Sequence, residues 1–260
     1  MKLPIDLLRE IAMKTLSRHG GHPLFVTVSG AHLYGFDSPD SDFDLRGVHL
    51  MPLERVVSLD PGAETVEYSG VEEGREIDLV SHDAAKFFRL MLKKNGYVME
   101  QVFSPLVVFD GGALGELRDL ARGCMTRHLH HHYSGFAENQ LKMLEKEKPK
   151  RAKTLLYVYR VLLTGIHVLE TGEIESNLPR LLEAHPQDRE VSDLIASKSR
   201  EKAPLETRRL KGHLARIEKL RAELEQGFID SKLPERPARA RELDAFLVRL
   251  RLEDSGKAGA

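Results

Sequence analysis

The chain has no tryptophan and a single cysteine, Cys124, so no internal disulfide can staple it. A reducing compartment, the cytoplasm by default, is therefore expected. It also lacks any run of 18 consecutive apolar residues, and the N-terminal stretch LLREIAMKTL is interrupted by Arg9, Glu10 and Lys14. That stretch reads as an amphipathic helix, and neither secretion nor a membrane partner is expected. Excess charge of one sign is missing too, the formal net charge being −1 over 260 residues. The balance conceals an acidic first half and a basic stretch from about Lys142 onward. Alternating Glu and Lys or Arg is the ordinary make-up of a solvated helix face, so the basic bias does not by itself require a polyanionic partner. Internal repeats and low-complexity tracts are absent apart from the tail EDSGKAGA, which is expected to be disordered.

What is present changes character midway. Leu8, Ile11, Ala12 and Leu16 fall near helical spacing and predict a helix over Ile5–Arg18, closed by His19-Gly20-Gly21. Short β-branched and aromatic runs predict strands at 24–28, 43–50, 76–81 and 106–109, with helices at 83–93 and 98–103 between the last two. From about Leu114 strand signals fade, and the chain reads as successive helices punctuated by Gly172, Pro179, Pro186, Pro204, Gly227, Pro234 and Pro237. Two apolar stripes stand out there, Leu210, Leu214, Ile217 and Leu224, then Leu243, Phe246, Leu247 and Leu250. The expected class is α+β: an α/β domain with a mixed sheet over 1–112, a helical domain over 113–252, and a disordered tail over 253–260.

The stretch SGAHLYGFDSPDSDFDLRGV, residues 29–48, follows a strand and concentrates unusual chemistry. Ser29, Gly30 and Ala31 are too small to shield the backbone, and a short helix starting at Ala31 or His32 would turn its free N–H groups toward an anion such as phosphate. On the next strand, the two-residue period puts Asp42, Asp44 and Arg46 on one face and Phe43 and Leu45 on the other. Two carboxylates about 6–7 Å apart along one strand can converge on hard divalent cations, which take oxygen ligands. A solvated edge strand with Arg46 neutralising the pair would have the same spacing. In REIDLVSHD a third carboxylate, Asp78, alternates with Ile77 and Leu79, and three aspartates on one sheet face make a metal site.

These motifs, together with REIDLVSHDAAKFFRLMLKKNGYVMEQVFSP, HHYSGFAENQL and KPKRAKTLLYVYRVLLTGIHVLETGEI, resemble the DNA polymerase β-like nucleotidyltransferase superfamily, in a bacterial and phage branch of predicted nucleotidyltransferases. The similarity extends over about residues 1–178. It implies a polymerase-β-like fold and transfer of a nucleoside monophosphate from an NTP to an acceptor hydroxyl, with pyrophosphate leaving. By position, Ser29, Gly30 and Ala31 would hold the triphosphate, with Ser41 and Arg46 grouped beside them. Asp42 and Asp44 would ligate two ions, Mg²⁺ or Mn²⁺, and Asp78 would ligate the catalytic one and take the acceptor's proton. Where the superfamily often has Ser after the glycine this chain has Ala31, so Ser29 would have to supply a hydroxyl.

Lys153, Tyr157, Arg160, Thr164 and His167 form one polar stripe on an otherwise apolar helix. A stripe of this kind faces water or lines a cleft, and the cleft is the expectation, since helical domains of the superfamily often close over the nucleotide. Lys153 and Arg160 would then hold phosphate oxygens and Tyr157 would lie near base or ribose. His128, His130, His131 and His132 point in different directions on one helix, so a partly exposed helix start is expected rather than zinc. Cys124 is expected to be buried and inert. Asn95 and Glu100 read equally as site support or as a helix cap and a surface carboxylate. The expected acceptor is nucleic acid, an RNA 3′ end, on the strength of Lys142, Lys146, Lys148, Lys150 and Arg151. The alternatives are nucleotidylation of a protein or small molecule, or an idle nucleotide-binding regulator. Base preference, the choice of cation and oligomeric state are not encoded legibly.

Overall fold

A computed structural model describes residues 3–185, 190–198 and 207–258. In chain order the elements are α1 (Ile5–Arg18), β1 (His22–Val28), α2 (Gly30–Tyr34), β2 (Phe43–Leu50), α3 (Leu53–Val56), β3 (Thr65–Glu72), β4 (Arg75–Asp83), α4 (Ala84–Leu92), α5 (Gly96–Phe103) and β5 (Val107–Asp110). Helices α6 (Leu114–Arg122), α7 (Leu129–Lys146), α8 (Ala152–Thr171), α9 (Leu178–Ala184), α10 (Glu190–Lys198), α11 (Thr207–Asp230) and α12 (Ala240–Ala258) follow. The architecture is α+β with a mixed sheet, as the sequence implies.

The division of the chain is not the linear one expected at 112/113. One unit comprises Met1–Leu33, Ser41–Cys124 and Pro237–Ala260, the other Tyr34–Asp40 and Met125–Arg236. They are called the sheet unit and the helical unit below.

In the sheet unit five strands lie in the order β3-β4-β2-β1-β5. Strand β1 runs antiparallel to β2 and β5, β2 parallel to β4, and β4 antiparallel to β3. The α1 stripe of Leu8, Ile11, Ala12 and Leu16 packs with Val26, Val28, Phe43, Leu45, Ile77 and Leu79, so alternate residues of three strands face α1. The intervening residues face the other way, where the Phe25 ring meets Phe87 of α4 edge-on at 5.8 Å and Thr27 Oγ1 bonds the Gln101 carbonyl of α5. Asp44, Arg46 and Asp78 share this second face by strand parity. Strand β3 went unanticipated because TVEYSGVE is an edge strand in which only Val66 is buried, with no apolar run to announce it.

Helix α12 belongs to the sheet unit. Phe246 stacks on Phe88 at 5.9 Å, and the Arg251 guanidinium donates to both Asp83 oxygens at 2.6 Å and to the Met51 carbonyl. Asp83 also accepts from the Ala85 and Met51 N–H groups, so this fully buried carboxylate is satisfied on every side. Residues expected in a tail instead continue α12 to Ala258, and Asp254 pairs with His22 at 2.7 Å. Residues 259 and 260 lie outside the described residues.

The helical unit is built around α8, whose side chains are buried almost throughout. Gly165 permits that density, since a Cβ there would lie 2.8 Å from side-chain atoms of both Tyr133 on α7 and Leu224 on α11. By length and composition α8 could cross a membrane, but 78% of its apolar window is buried inside the fold, as in a core helix. The histidines form a partly exposed helix start: His131 is exposed and His128 and His132 are half-buried, while His130 is buried with Nε2 2.9 Å from Glu225 on α11, and His128 reaches Glu235 at 2.7 Å. Residues Pro186 and Pro204, read as helix punctuation, lie outside the described residues.

Candidate active site

The turn after β1 is tight for a reason the coordinates make explicit. Gly30 has φ +63°, a left-handed conformation that suits glycine, and a Cβ there would fall 1.9 Å from Oδ2 of Asp44. Any side chain at this position would displace the carboxylate. The Ser29 N–H is spent on the Asp44 carbonyl at 2.8 Å, which ties the turn to β2. Helix α2 begins at Gly30 and is only five residues long, so little macrodipole is available. Ser29 Oγ is buried and has no hydrogen-bond partner among the described residues, whereas Ala31 is simply packed away.

Asp44 and Asp78 are register partners on the parallel strands β2 and β4. Their carboxylates face one another on the sheet face opposite α1, and Asp42 lies two residues earlier on the same strand path. Arg46 sits between them. Its Nη2 is 2.8 Å from Asp44 Oδ1 and 3.1 Å from Asp78 Oδ2. Nη1 donates to the carbonyls of Leu45 and Asp78, and Nε donates to Tyr97 Oη at 2.6 Å. Tyr97 is held in turn by α5, whose N-cap Asn95 accepts the Tyr97 N–H at 3.0 Å. Nothing in the sequence pairs Tyr97 with Arg46, since the contact joins residues 51 apart.

The electrostatics are crowded. Burial raises the Asp44 carboxyl above its usual range, Arg46 pulls it down, and Asp42 and Asp78 push it up again. Burial works against the Arg46 charge, but Tyr97, Asp44 and Asp78 outweigh it and hold its pKa above the ordinary value. Beside Asp42 and Asp78 a cavity of about 360 Å³ opens toward the edge strand, lined also by Ser69, Gly70 and Glu76. Sequence reasoning did not reach Ser69 and Gly70 because it did not find β3.

The remaining candidates lie in the helical unit, apart from Ser41 and Cys124 of the sheet unit. Lys153 is exposed at the start of α8, and Tyr157 packs edge-on against Tyr34 and Phe36 at 5.8 and 5.3 Å. The Arg160 guanidinium lies 3.8 Å over the Tyr34 ring and is 2% exposed. Thr164, next on the stripe, donates to the Glu175 carbonyl. Ser41 is half-buried immediately before Asp42. Cys124 is buried, its thiol pushed up to about 11 by burial. In the basic segment Lys150 binds the carbonyls of Leu144 and Glu145 at the end of α7, and Lys142 pairs with Glu138. Lys146 and Lys148 are exposed.

The donor set suits a hard divalent cation in chemistry, being all carboxylate oxygen, and the Gly30 corner leaves room for the Asp44 carboxylate. Among the described residues, however, no three His, Cys, Asp or Glu side chains converge closely enough to hold an ion as they stand.

The profile of the family described as RlaP, the RNA repair pathway DNA polymerase beta family, matches residues 8–249. The chain belongs to the RlaP family. This membership puts it among the polymerase β-like nucleotidyltransferases and supports nucleotidyl transfer as the class of chemistry. The uncharacterized protein MJ0002 of Methanocaldococcus jannaschii is 31% identical over 234 residues, 86% of this chain and 92% of that protein. Bacillus subtilis YcgL is 25% identical over 173 residues, 65% of this chain and 64% of that one. Among solved structures, a nucleotidyltransferase-like protein from Exiguobacterium sibiricum aligns over 85% of this chain and 74% of its own, with TM-score 0.33 and 12% identity. Spectinomycin adenyltransferase AAD(9) from Enterococcus faecialis, solved with ATP and spectinomycin, aligns over 85% and 98%, with TM-score 0.49 and 12% identity.

Proposed function

We propose that this RlaP-family protein transfers a nucleoside monophosphate from an NTP to the 3′ hydroxyl of an RNA, releasing pyrophosphate. The observation that carries the reading is the register pairing of Asp44 with Asp78 beside the Gly30 turn. In this reading the acceptor oxygen attacks the α-phosphorus, the bond from that phosphorus to the bridging oxygen of the β-phosphate breaks, and the hydroxyl proton passes to Asp78. Ser29, Gly30, Ala31 and Ser41 hold the triphosphate. Arg160 lies buried over the Tyr34 ring within the helical unit. A divalent cation, Mg²⁺ or Mn²⁺, held by Asp42, Asp44 and Asp78 would supply neutralisation of the triphosphate charge.

The family's RNA-repair description and the exposed Lys146 and Lys148 support a polyanionic acceptor. The test supplies labelled NTP with Mg²⁺ or Mn²⁺ to an RNA ending in a free 3′ hydroxyl and to the same strand blocked there. Label is expected only in the free strand. Equal labelling of both, or label on the protein alone, removes the 3′-end assignment.

A second reading has its own observation. The cavity beside Asp42 and Asp78 also contains Glu76 and is lined by no basic side chain among the described residues, which favours a neutral or cationic acceptor such as a small molecule or a protein side chain. Acceptor binding that falls steeply with salt supports RNA, and binding indifferent to salt supports the second reading. An NTP bound without any transfer identifies an idle regulator.

A further inference from the structure

We infer that Arg46 is a permanent cation of the active site that takes the place of one of two divalent ions, so that the protein works with a single divalent ion per chain. The inference rests on the reading of Asp42, Asp44 and Asp78 as cation-binding carboxylates.

The facing oxygens of Asp44 and Asp78, Oδ1 and Oδ2, are where an ion bridging β2 and β4 would bind, and the Arg46 Nη2 already lies 2.8 and 3.1 Å from them. A guanidinium held by those contacts alone could be displaced by a divalent ion. This one has three anchors that do not depend on either carboxylate: Tyr97 Oη, the Leu45 carbonyl and the Asp78 carbonyl. The side chain is only 12% exposed, and leaving would break its bonds to the half-buried Tyr97 hydroxyl and to two carbonyls. Arg46 therefore stays. It commits one oxygen of each aspartate to itself and leaves Asp44 Oδ2, which lies over Gly30, pointing into the phosphate turn. One divalent ion can take that oxygen together with Asp42. A second ion bridging the strands at the facing oxygens would have to share both of them with the guanidinium and sit against its positive charge. A fixed guanidinium also suits carboxylate geometry, since its planar fork spans two acceptors at once.

The test counts Mn²⁺ retained per chain by equilibrium dialysis at saturating non-hydrolysable NTP, against an analogue-only control. Wild type is expected to hold about one equivalent. Two equivalents overturn the inference and leave nucleotidyl transfer standing, whereas nucleotide bound with no Mn²⁺ at all overturns the metal-dependent reading itself. Arg46→Gln, which removes the charge, is expected to bind two, and Tyr97→Phe, which keeps the charge, is expected to stay at one. A folded Arg46→Gln protein that still holds one equivalent also refutes the substitution of guanidinium for metal. If Arg46→Gln does not fold, the wild-type count decides alone.

Discussion

In the sheet unit the buried cations meet carboxylates, Arg46 between Asp44 and Asp78 and Arg251 on Asp83, whereas in the helical unit Arg160 lies over the face of Tyr34 and near Phe136. The cause is geometric. Adjacent strands in register bring the same side-chain positions opposite one another every two residues, so charges of opposite sign can be paired by placement alone. On α8 the buried members of the polar stripe meet their neighbours one at a time, Arg160 an aromatic face and Thr164 a carbonyl. A polar stripe on a core helix is therefore weaker evidence of a ligand than paired aspartates on a sheet.

The largest expected effect falls on the sheet unit. Asp44→Asn should reduce transfer by about 10²-fold or more, while the unfolding midpoint stays level or rises because a crowded, desolvated charge is removed. Retained transfer in this variant breaks the view that the sheet unit carries the chemistry. Next comes Arg251→Met. It leaves the Asp83 carboxylate buried without its cation, and denaturant unfolding should register a loss of about 3–5 kcal/mol.

Arg160→Met should cost the helical unit about 1–2 kcal/mol through the lost aromatic contact, and Arg160→Lys should cost nearly as much because an ammonium does not stack as a plane. If Arg160→Lys keeps full stability yet loses NTP affinity tenfold, the guanidinium serves the triphosphate and the contrast between the units fails.

A more gradual effect appears in acid and should be shared by both units. Burial holds His49 of the sheet unit and His132 of the helical unit each at about 4, with Arg160 adding to the depression at His132. Both therefore stay neutral in the folded protein while the unfolded chain takes up a proton near the ordinary 6.5. Stability should then rise with pH across this window and be lost as pH falls from about 6.5 toward 4, each group contributing a slope of up to about 1.4 kcal/mol per pH unit. Thermal unfolding of His132→Gln against wild type between pH 4 and 7 checks it. An unchanged acid limb assigns the slope elsewhere.

How much of this was legible follows the same physics. Helix α1 and strand β2 appear with the boundaries read from the sequence, because a 3.6-residue stripe and a two-residue alternation are local signals. The alternation of Asp44 and Asp78 with core residues was legible for the same reason. Strand β3 was not, since its pairing to β4 supplies what its composition lacks. Tyr97 on Arg46, Arg251 on Asp83 and Arg160 on Tyr34 join residues far apart in sequence, and no local period encodes such contacts. The assignment of Tyr34–Asp40 to one unit and α12 to the other is likewise a property of packing.

That discontinuous division bears on how the protein is made. The chain passes between the units four times, at 33/34, 40/41, 124/125 and 236/237, so no single proteolytic cut separates them. Asp83, the last residue of β4, waits 168 residues for Arg251. At about 5–20 residues per second on a ribosome, that is a delay of roughly 10–30 s. Throughout it, the strand that carries Asp78 holds a carboxylate whose guanidinium partner has not yet been synthesised, and the sheet unit becomes complete only when α12 leaves the exit tunnel.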